Sequence, residues 1–335
     1  MNAPNLFTYA TSELSQDAFI CWLLAWAAPE HKDVDPSLHA CAVELINAFF
    51  VKHGQLPPSS IETLEVKRQD SNIDVSCIVN GVYAILIEDK TTTKNHSGQL
   101  LRYYETMSAR YEPQNILPIY FKTHDQACYA AVNKDGYQAF TRSDFLDVLN
   151  AGLKMGIKNA IFLDFQQHLQ RIENQVSGYL SRSVKDWNRF DWTGFYLELQ
   201  RELGTGKWDY VNNPSGGFMG FWWAFQRADL CRQYLQLEED TLCLKIEVNE
   251  PTQRSSLRRK WYGLFKRAAA KHGLVLEKPE RFGSGKYMTV LTDRNYLKVQ
   301  ENGLIDLGAT LKGLREVELF LRTVCETAVE PMETA

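Results

Sequence analysis

The segment from Val82 to Glu88 is apolar at nearly every position, and this feature limits the possible folds more than any other in the sequence. A β-strand that is apolar on both faces lies in the interior of a sheet that is covered on both sides. Apolar residues recur at three- and four-residue steps from Leu14 to Trp26 and again from Leu38 to Lys52, which predicts two helices before this strand. The sequence therefore predicts an α/β domain.

Further strand-like and helical segments flank the apolar strand. Thr63–Arg68 alternates in polarity, Ile73–Val79 is rich in β-branched residues, and Asn80-Gly81 marks the turn into the apolar segment. After it we expect a helix from Ser97 to about Arg110 and a strand over Ile116–Lys122. The predicted order is α, α, β, β, β, α, β, with an antiparallel hairpin at the centre of a mixed sheet.

The length of 335 residues favours two domains. We expect the first domain over residues 1–155, a long polar connecting helix over 156–186, and an aromatic-rich α+β domain over 187–335 whose role the sequence does not reveal. For the last domain the pattern predicts strands at Tyr234–Glu238, Leu242–Val248 and Tyr287–Thr292 and helices at Ser255–His272 and Leu311–Glu326.

Composition bears on the compartment more than on function. No apolar run reaches the roughly 20 residues of a membrane span, and the N-terminus has no secretory signal pattern. The seven cysteines are scattered without a CxxC pair, which is typical of buried thiols in a reducing compartment. We therefore expect a cytoplasmic protein without a membrane partner. The formal net charge of -4 neither requires nor excludes a nucleic-acid partner.

Acidic residues stand at the ends of the two hairpin strands. Asp74 opens one strand, and Glu88 and Lys90 end the next. Residues two apart on a strand share a face, so the side chains of Glu88 and Lys90 are about 7 Å apart while that of Asp89 points to the other face. The main-chain carbonyl of Asp89 remains available to a metal. Hard cations prefer such oxygen ligands, and the pattern predicts a Mg²⁺ or Mn²⁺ site.

The turn decides whether this site can form. A two-residue loop at Asn80-Gly81 would place Asp74 opposite Ile87, and Glu88 would then project from the other face. A three-residue loop or a bulge restores the shared face, and Val79-Asn80-Gly81 with a left-handed Gly81 would serve. We therefore predict that the loop is not a simple two-residue turn.

These residues resemble the PD-(D/E)XK nuclease superfamily, in which an Asp and an acidic-x-Lys triplet lie on adjacent strands of an αβββαβ core. The matching residues are Ile73-Asp74, a spacer of thirteen residues, and Glu88-Asp89-Lys90. The resemblance covers roughly residues 10–125. Ile73 stands where the Pro of the family's name would be, and the helix over Leu38–Lys52 is additional.

Other positions are similar to particular branches of the superfamily. Gln99 and Tyr103 have the Q-x-x-x-Y spacing of the RecB-like branch, which puts both on one helical face. Glu13 stands where proteins similar to archaeal Holliday-junction resolvases place an additional acidic metal ligand. The stretch over residues 13–19 resembles uncharacterised bacterial members of the superfamily.

The resemblance implies a restriction-endonuclease-like fold and a metal-dependent nuclease that hydrolyses phosphodiester bonds, with DNA favoured as substrate and a role in defence or repair. Asp74 and Glu88 would hold the metal, with Glu13 assisting. Lys90 would position the attacking water or stabilise the transition state, and Gln99 and Tyr103 would shape the site. A homodimer stays open by analogy with the many dimers in the family.

Several of these residues have a simpler interpretation. Glu13 can equally be an exposed first-turn carboxylate, Lys90 a solvated strand lysine, and Gln99 and Tyr103 supports of the helix and core. The basic side of the predicted helix over Ser255–His272 is either a solvated face or a phosphate-binding surface that includes Arg258 and Arg259. Three further residues could contribute ligands or contacts to the site: Glu65, Asp70 and His96.

The rival to an enzyme is a non-catalytic module that binds nucleic acid or protein on the same fold. In that case the second domain, with most of the eight tryptophans, would be the working surface. Metal binding at Asp74 and Glu88 distinguishes the two hypotheses.

Overall fold

The structure is a computed structural model and describes residues 4–70, 73–91, 99–213 and 216–329. It divides into two units, residues 1–174 and 175–335. Each unit contains one five-stranded sheet with helices. Within the described residues no helix has the length and apolar character needed to cross a membrane.

The first unit is built on a mixed sheet in which strands follow one another in chain order. The first three strands are antiparallel, and the last two continue in parallel with the third. The third strand is therefore interior, and its residues from position 84 to 90 are all buried, as its apolar sequence predicts. The strands are β1 Leu64–Asp70, β2 Ile73–Val79, β3 Tyr83–Lys90, β4 Ile116–Lys122 and β5 Gln138–Thr141.

The helices of this unit cover both faces of the sheet. Ile73, Ala84 and Leu86 pack against a helix that follows β3, whereas Asp89 on the opposite face contacts the first helix. The helices are α1 Glu13–Ala25, α2 Pro36–Lys52, α3 Gln99–Ser108, α4 Ala130–Lys134, α5 Arg142–Lys154 and α6 Ala160–Val176. The two predicted N-terminal helices, the helix after β3 and four of the strands are confirmed, whereas α4, β5 and α5 were not predicted. With four residues, β5 is too short to show a periodic pattern.

The stretch over 156–186, predicted as one connecting helix, contains α6 and then two short 3₁₀ turns. Close packing against the following helix, α7 Arg189–Leu203, explains the break. A Cβ on Gly178 would lie 2.6 Å from the Asp191 carboxylate, and one on Gly194 would lie 1.9 Å from the carbonyl oxygen of Val176. The chain therefore has to turn here, and the division between the two units falls after Asn174.

The second unit is an antiparallel meander with helices, which agrees with the expected α+β class. Its three predicted strands and two predicted helices are confirmed. The first two strands were missed, because the register of the second shifts between Trp223 and Gln226 and breaks the alternation. The elements are β6 Lys207–Val211, β7 Phe218–Ala228, β8 Cys231–Glu238, β9 Thr241–Glu247, α8 Arg254–Lys271, β10 Tyr287–Asp293 and α9 Leu307–Val329.

The hairpin loop between β2 and β3 has three residues, which confirms the prediction that it is not a simple two-residue turn. Val79 pairs with Tyr83, so the loop is Asn80-Gly81-Val82, one residue later than expected. Asn80 and Gly81 both have positive φ angles, 55° and 65°. The Asn80 side chain accepts from the main-chain nitrogen of Glu62 at 2.7 Å, which fixes the loop against the segment before β1.

Replacing Gly81 by Ala tests the conformational demand of this loop. A Cβ there would meet no atom within 4 Å, so the whole cost comes from the left-handed backbone. We expect Gly81→Ala to lower the free energy of unfolding by about 1 kcal/mol, measured by urea denaturation. Gly285→Ala is the matched control, because Gly285 is equally open but is not in the positive φ region. Equal stability of both variants would contradict the left-handed conformation assigned to Gly81.

Candidate metal centre

Asp74, Glu88 and Lys90 converge at the ends of β2 and β3. Val75 pairs with Ile87, and the same register continued by one residue places Asp74 opposite Glu88. The Nζ of Lys90 lies 2.6 Å from Glu88 Oε1 and 3.7 Å from Asp74 Oδ2. The main-chain nitrogen of Asp89 donates to Asp74 Oδ2 at 2.9 Å. The three residues predicted to share a face therefore do so.

The electrostatics of this cluster follow from its burial. Glu88 is 1% exposed. Burial raises the pKa of Glu88 to about 7, with the Lys90 ammonium opposing that rise and the negative charge of Asp74 adding to it. For Lys90, burial lowers the pKa, but Glu88, Asp74 and Glu13 together more than offset it and raise the pKa above its ordinary value. Lys90 is therefore an ammonium ion at neutral pH.

The oxygen donors of the cluster suit a hard divalent cation. Both Glu88 carboxylate oxygens are buried: Oε1 contacts the Lys90 ammonium at 2.6 Å, and Oε2 has no hydrogen-bond partner among the residues that the structure describes. A second carboxylate, Asp74, is close enough to raise the pKa of Glu88, a repulsion that a cation between them would relieve. The described part of the chain has no cluster of three or more acidic, His or Cys ligands. Two carboxylates suffice for Mg²⁺, which keeps several of its waters.

Glu13 lies at the edge of this cluster. Its Oε1 accepts from the main-chain nitrogen of Thr91 at 3.0 Å and from the Thr91 hydroxyl at 3.3 Å. Glu13 is thus tied to the residue that follows Lys90, and its charge contributes to the raised pKa of Lys90. Its position at the start of α1 brings it to the site, as the resemblance implied, while its role as a metal ligand stays a prediction.

The main-chain carbonyl of Asp89, predicted as a further metal ligand, accepts a hydrogen bond from Lys90 Nζ at 2.9 Å. Lys90 thus occupies one of the lone-pair directions of this oxygen. Tyr103 is 7% exposed and packs in a cluster that includes Leu86 and Met107, directly beneath the face that carries Glu88. Its ring supports the core, and its contribution to substrate contacts stays a prediction.

Some predicted positions cannot be compared with the structure. Gln99 begins α3, but its side chain lies outside the described residues. The same holds for the side chain of Asp70 and for the whole of Ser97 and His96. Glu65, the other acid considered near the site, is exposed on β1 and pairs with Lys67 at 2.6 Å.

Arg258 and Arg259 belong to α8 in the second unit. Arg258 donates to the carbonyl of Gly283 and lies over the Phe282 ring at 5.2 Å, so it holds the loop before β10. Arg259 is exposed. Binding of phosphate by these two arginines stays a prediction, and Arg258 also has a structural role within its own unit.

Sequence reasoning missed the polar group on the opposite face of β3. Gln16 Nε2 donates to Asp89 Oδ1, and the Thr123 hydroxyl donates to Gln16 Oε1 at 2.9 Å. Burial and the negative charge of Asp17 raise the pKa of Asp89 well above its usual range, so Asp89 favours its neutral form. The sequence gives little signal for this group, because Gln16 and Asp17 lie beside Ser15 in the polar first part of α1 and not within its apolar run.

Lys122 at the end of β4 was also missed. It is 2% exposed and its Nζ donates to the carbonyl of Thr91 at 2.7 Å. Because Lys90 pairs with Lys122 in the β3–β4 ladder, this bond fixes the chain immediately after the triplet. Glu13 and Lys122 thus hold the same residue, Thr91, from the two neighbouring elements.

Comparison with known proteins places this geometry in a family. The sequence profile of the PD-(D/E)XK nuclease superfamily matches residues 4–196, which include all of β1–β5 and the cluster at Asp74, Glu88 and Lys90. Because this match covers more than half of the chain, the protein belongs to the PD-(D/E)XK nuclease superfamily. Its mixed sheet flanked by helices is a restriction-endonuclease-like fold. Members of this superfamily generally use divalent metals. No curated protein and no solved structure matches the chain.

Removing the Gln16 side chain tests the polar group behind β3. Gln16→Ala deprives two buried atoms of a partner, Asp89 Oδ1 and the Thr123 hydroxyl, and we expect a loss of about 1–3 kcal/mol in the free energy of unfolding. Gln170→Ala removes a solvent-exposed amide hydrogen bond on α6 and should change stability by less than about 0.5 kcal/mol. Urea denaturation measures both variants. A Gln16→Ala protein as stable as the control would show that the group contributes nothing.

Metal-dependent stabilisation tests the donor set. An ion that binds only the folded protein at tenfold its Kd stabilises it by about 1.4 kcal/mol, so Mg²⁺ or Mn²⁺ should raise the melting temperature by about 2–4 °C. Glu88→Gln should abolish this increase, since the amide oxygen is a weaker ligand than the carboxylate. Glu65→Gln, an exposed acid on the same sheet, should retain it. An equal increase in melting temperature for wild type, Glu88→Gln and Glu65→Gln would show that the ion binds elsewhere.

Proposed function

We propose that the first unit hydrolyses phosphodiester bonds of DNA with Mg²⁺ or Mn²⁺, and that Asp74 and Glu88 hold the ion. The observation that carries this proposal is the Lys90 ammonium in contact with Glu88 and 3.7 Å from Asp74 at the end of two paired strands. When bound, the ion would polarise the phosphate and lower the pKa of a coordinated water. Glu13, at the edge of the cluster, would assist the two ligands.

Lys90 acts through its charge and its geometry. The negative charges of Glu88, Asp74 and Glu13 raise its pKa, which favours the ammonium form. Two of its three donors are directed at Glu88 Oε1 and at the Asp89 carbonyl. The third can orient a water or neutralise charge that develops on the phosphate in the transition state. The bonds to Glu88 and Asp89 fix the ammonium in place before substrate binds.

The helix after β3 supplies the next layer of the site. The spacing of Gln99 and Tyr103 supports assignment to the RecB-like branch, with Gln99 acting at the site and Tyr103 shaping its floor. DNA as substrate, a role in defence or repair, a cytoplasmic location and a homodimer all follow from the resemblance and the scattered free thiols, and they form part of this proposal. The second unit, with Arg258 and Arg259, would contribute to substrate binding.

Cleavage by a Lys90→Ala variant is the decisive measurement. We expect wild-type protein with Mg²⁺ or Mn²⁺ to cleave labelled DNA and Lys90→Ala to lose at least about 100-fold in rate, the usual effect of removing a group that stabilises transition-state charge. Lys67→Ala, which removes an exposed lysine of β1 that pairs with exposed Glu65, serves as control and should cleave like wild type. Circular dichroism confirms that each variant is folded.

Two results would overturn the proposal. Equal cleavage by wild type and a folded Lys90→Ala would remove Lys90 from the mechanism. Binding of DNA by metal-loaded wild type without any cleavage would instead establish a non-catalytic binding module on the nuclease fold.

A further inference from the structure

The sheet of the second unit has two very different faces. Alternate residues of its inner strands, such as Trp223, Leu235 and Leu244, are fully buried on one face, where α9 packs on β7 and β8. The other face carries five aromatic side chains: Phe218, Trp222, Phe225, Tyr234 and Tyr287. A groove of about 480 Å³ runs over this second face.

A bulge in β7 places one of these rings on this second face, which we call the open face. Strict alternation would put Phe225 on the same side as Trp223, but the register shifts between Trp223 and Gln226. Ala224 between them has a φ of 55°, a left-handed conformation that is costly for a residue with a side chain. Phe225 is thereby turned beside Tyr234, with ring centroids 5.3 Å apart and planes inclined by 25°. Local strain of this kind concentrates at functional sites.

Two of these rings, Phe225 and Tyr287, are exposed. Phe225 is 43% exposed and Tyr287 is 53% exposed, which is high for rings of this size. Large exposed apolar groups on a concave surface mark a place where another molecule packs. Exposed aromatic rings on a sheet suit a partner that is itself flat and aromatic, such as a nucleobase.

Cationic side chains lie over or beside these rings. Arg232 lies over the Phe225 ring at 4.7 Å, Lys286 lies over the Tyr287 ring at 5.3 Å, and Lys245 lines the groove. Two carboxylates pair with them, since Glu247 contacts Arg232 and Lys286 while Glu238 contacts Lys245. Three cations against two carboxylates leave one positive charge. This net charge is too small to neutralise the phosphates of both strands of a duplex, but it suits a few phosphates beside stacked bases.

We infer that the open face of β6–β10 binds single-stranded nucleic acid, with bases stacked on Phe225 and Tyr287 and phosphates contacted by Arg232 and Lys245. This inference rests on the proposed nuclease function, because it identifies the substrate of that nuclease as single-stranded nucleic acid. The binding itself involves none of Asp74, Glu88 or Lys90, so it can be measured separately from cleavage.

Fluorescence anisotropy of a labelled 20-nucleotide oligo-dT and of a matched duplex, in EDTA to prevent cleavage, tests the inference. We expect the single strand to bind more tightly than the duplex, and Phe225→Ala and Tyr287→Ala each to weaken it about tenfold. Phe225→Trp should retain affinity, because tryptophan keeps an aromatic ring at this position. Tyr9→Ala removes an 81% exposed aromatic side chain of the first unit and is the matched control.

The outcomes separate this inference from the proposed function. If folded Phe225→Ala and Tyr287→Ala bind oligo-dT like wild type, or if the duplex binds as tightly as the single strand, the inference is overturned even where wild type cleaves DNA. If the two variants lose affinity while wild type does not cleave, the inference stands and the nuclease proposal fails. Retained oligo-dT affinity with loss of binding to a labelled proline-rich peptide would assign the face to a peptide instead.

Discussion

The register between β2 and β3 determines which side chains share a face, and the candidate metal centre depends on it. With Val79 paired to Tyr83, Asp74 lies opposite Glu88, and Lys90 two residues further on reaches both carboxylates. A register changed by one residue would send Glu88 to the α1 side of the sheet. The left-handed conformations of Asn80 and Gly81 fix that register, and the Asn80 side chain anchors the loop.

The end of β3 carries polar groups on both faces, which is unusual for the buried centre of a sheet. Lys90 pairs with Glu88 on one face, and Gln16 donates to Oδ1 of Asp89 on the other. Burial raises the pKa of Glu88 to about 7, so a divalent cation that binds this carboxylate would compete with a proton near neutral pH. Burying such groups lowers the stability of the fold, and a strand with a purely structural role would not require them. The arrangement is the one expected of a site that binds a cation.

The second unit divides its aromatic residues between two purposes. Trp223 and Trp261 are fully buried and stabilise the packing of helices on one face of the sheet. Phe225 and Tyr287 are left on the other face among cations, which adds nothing to the core. The number of tryptophans alone could not separate these roles, since both faces draw on the same residue types. Only strand pairing and the bulge at Ala224 assign each ring to a face.

The sequence by itself determined the α/β class of the first unit and the identity of Asp74, Glu88 and Lys90, because apolar strands and strand-end acids are local patterns that need no knowledge of distant contacts. It also predicted that the loop is not a simple two-residue turn. It did not reveal β5, the break after Val176 or the pairing of Gln16 with Asp89. Tertiary structure decided these, because each depends on atoms far apart in the chain: Gln16 meets Asp89 only once α1 has packed on the sheet.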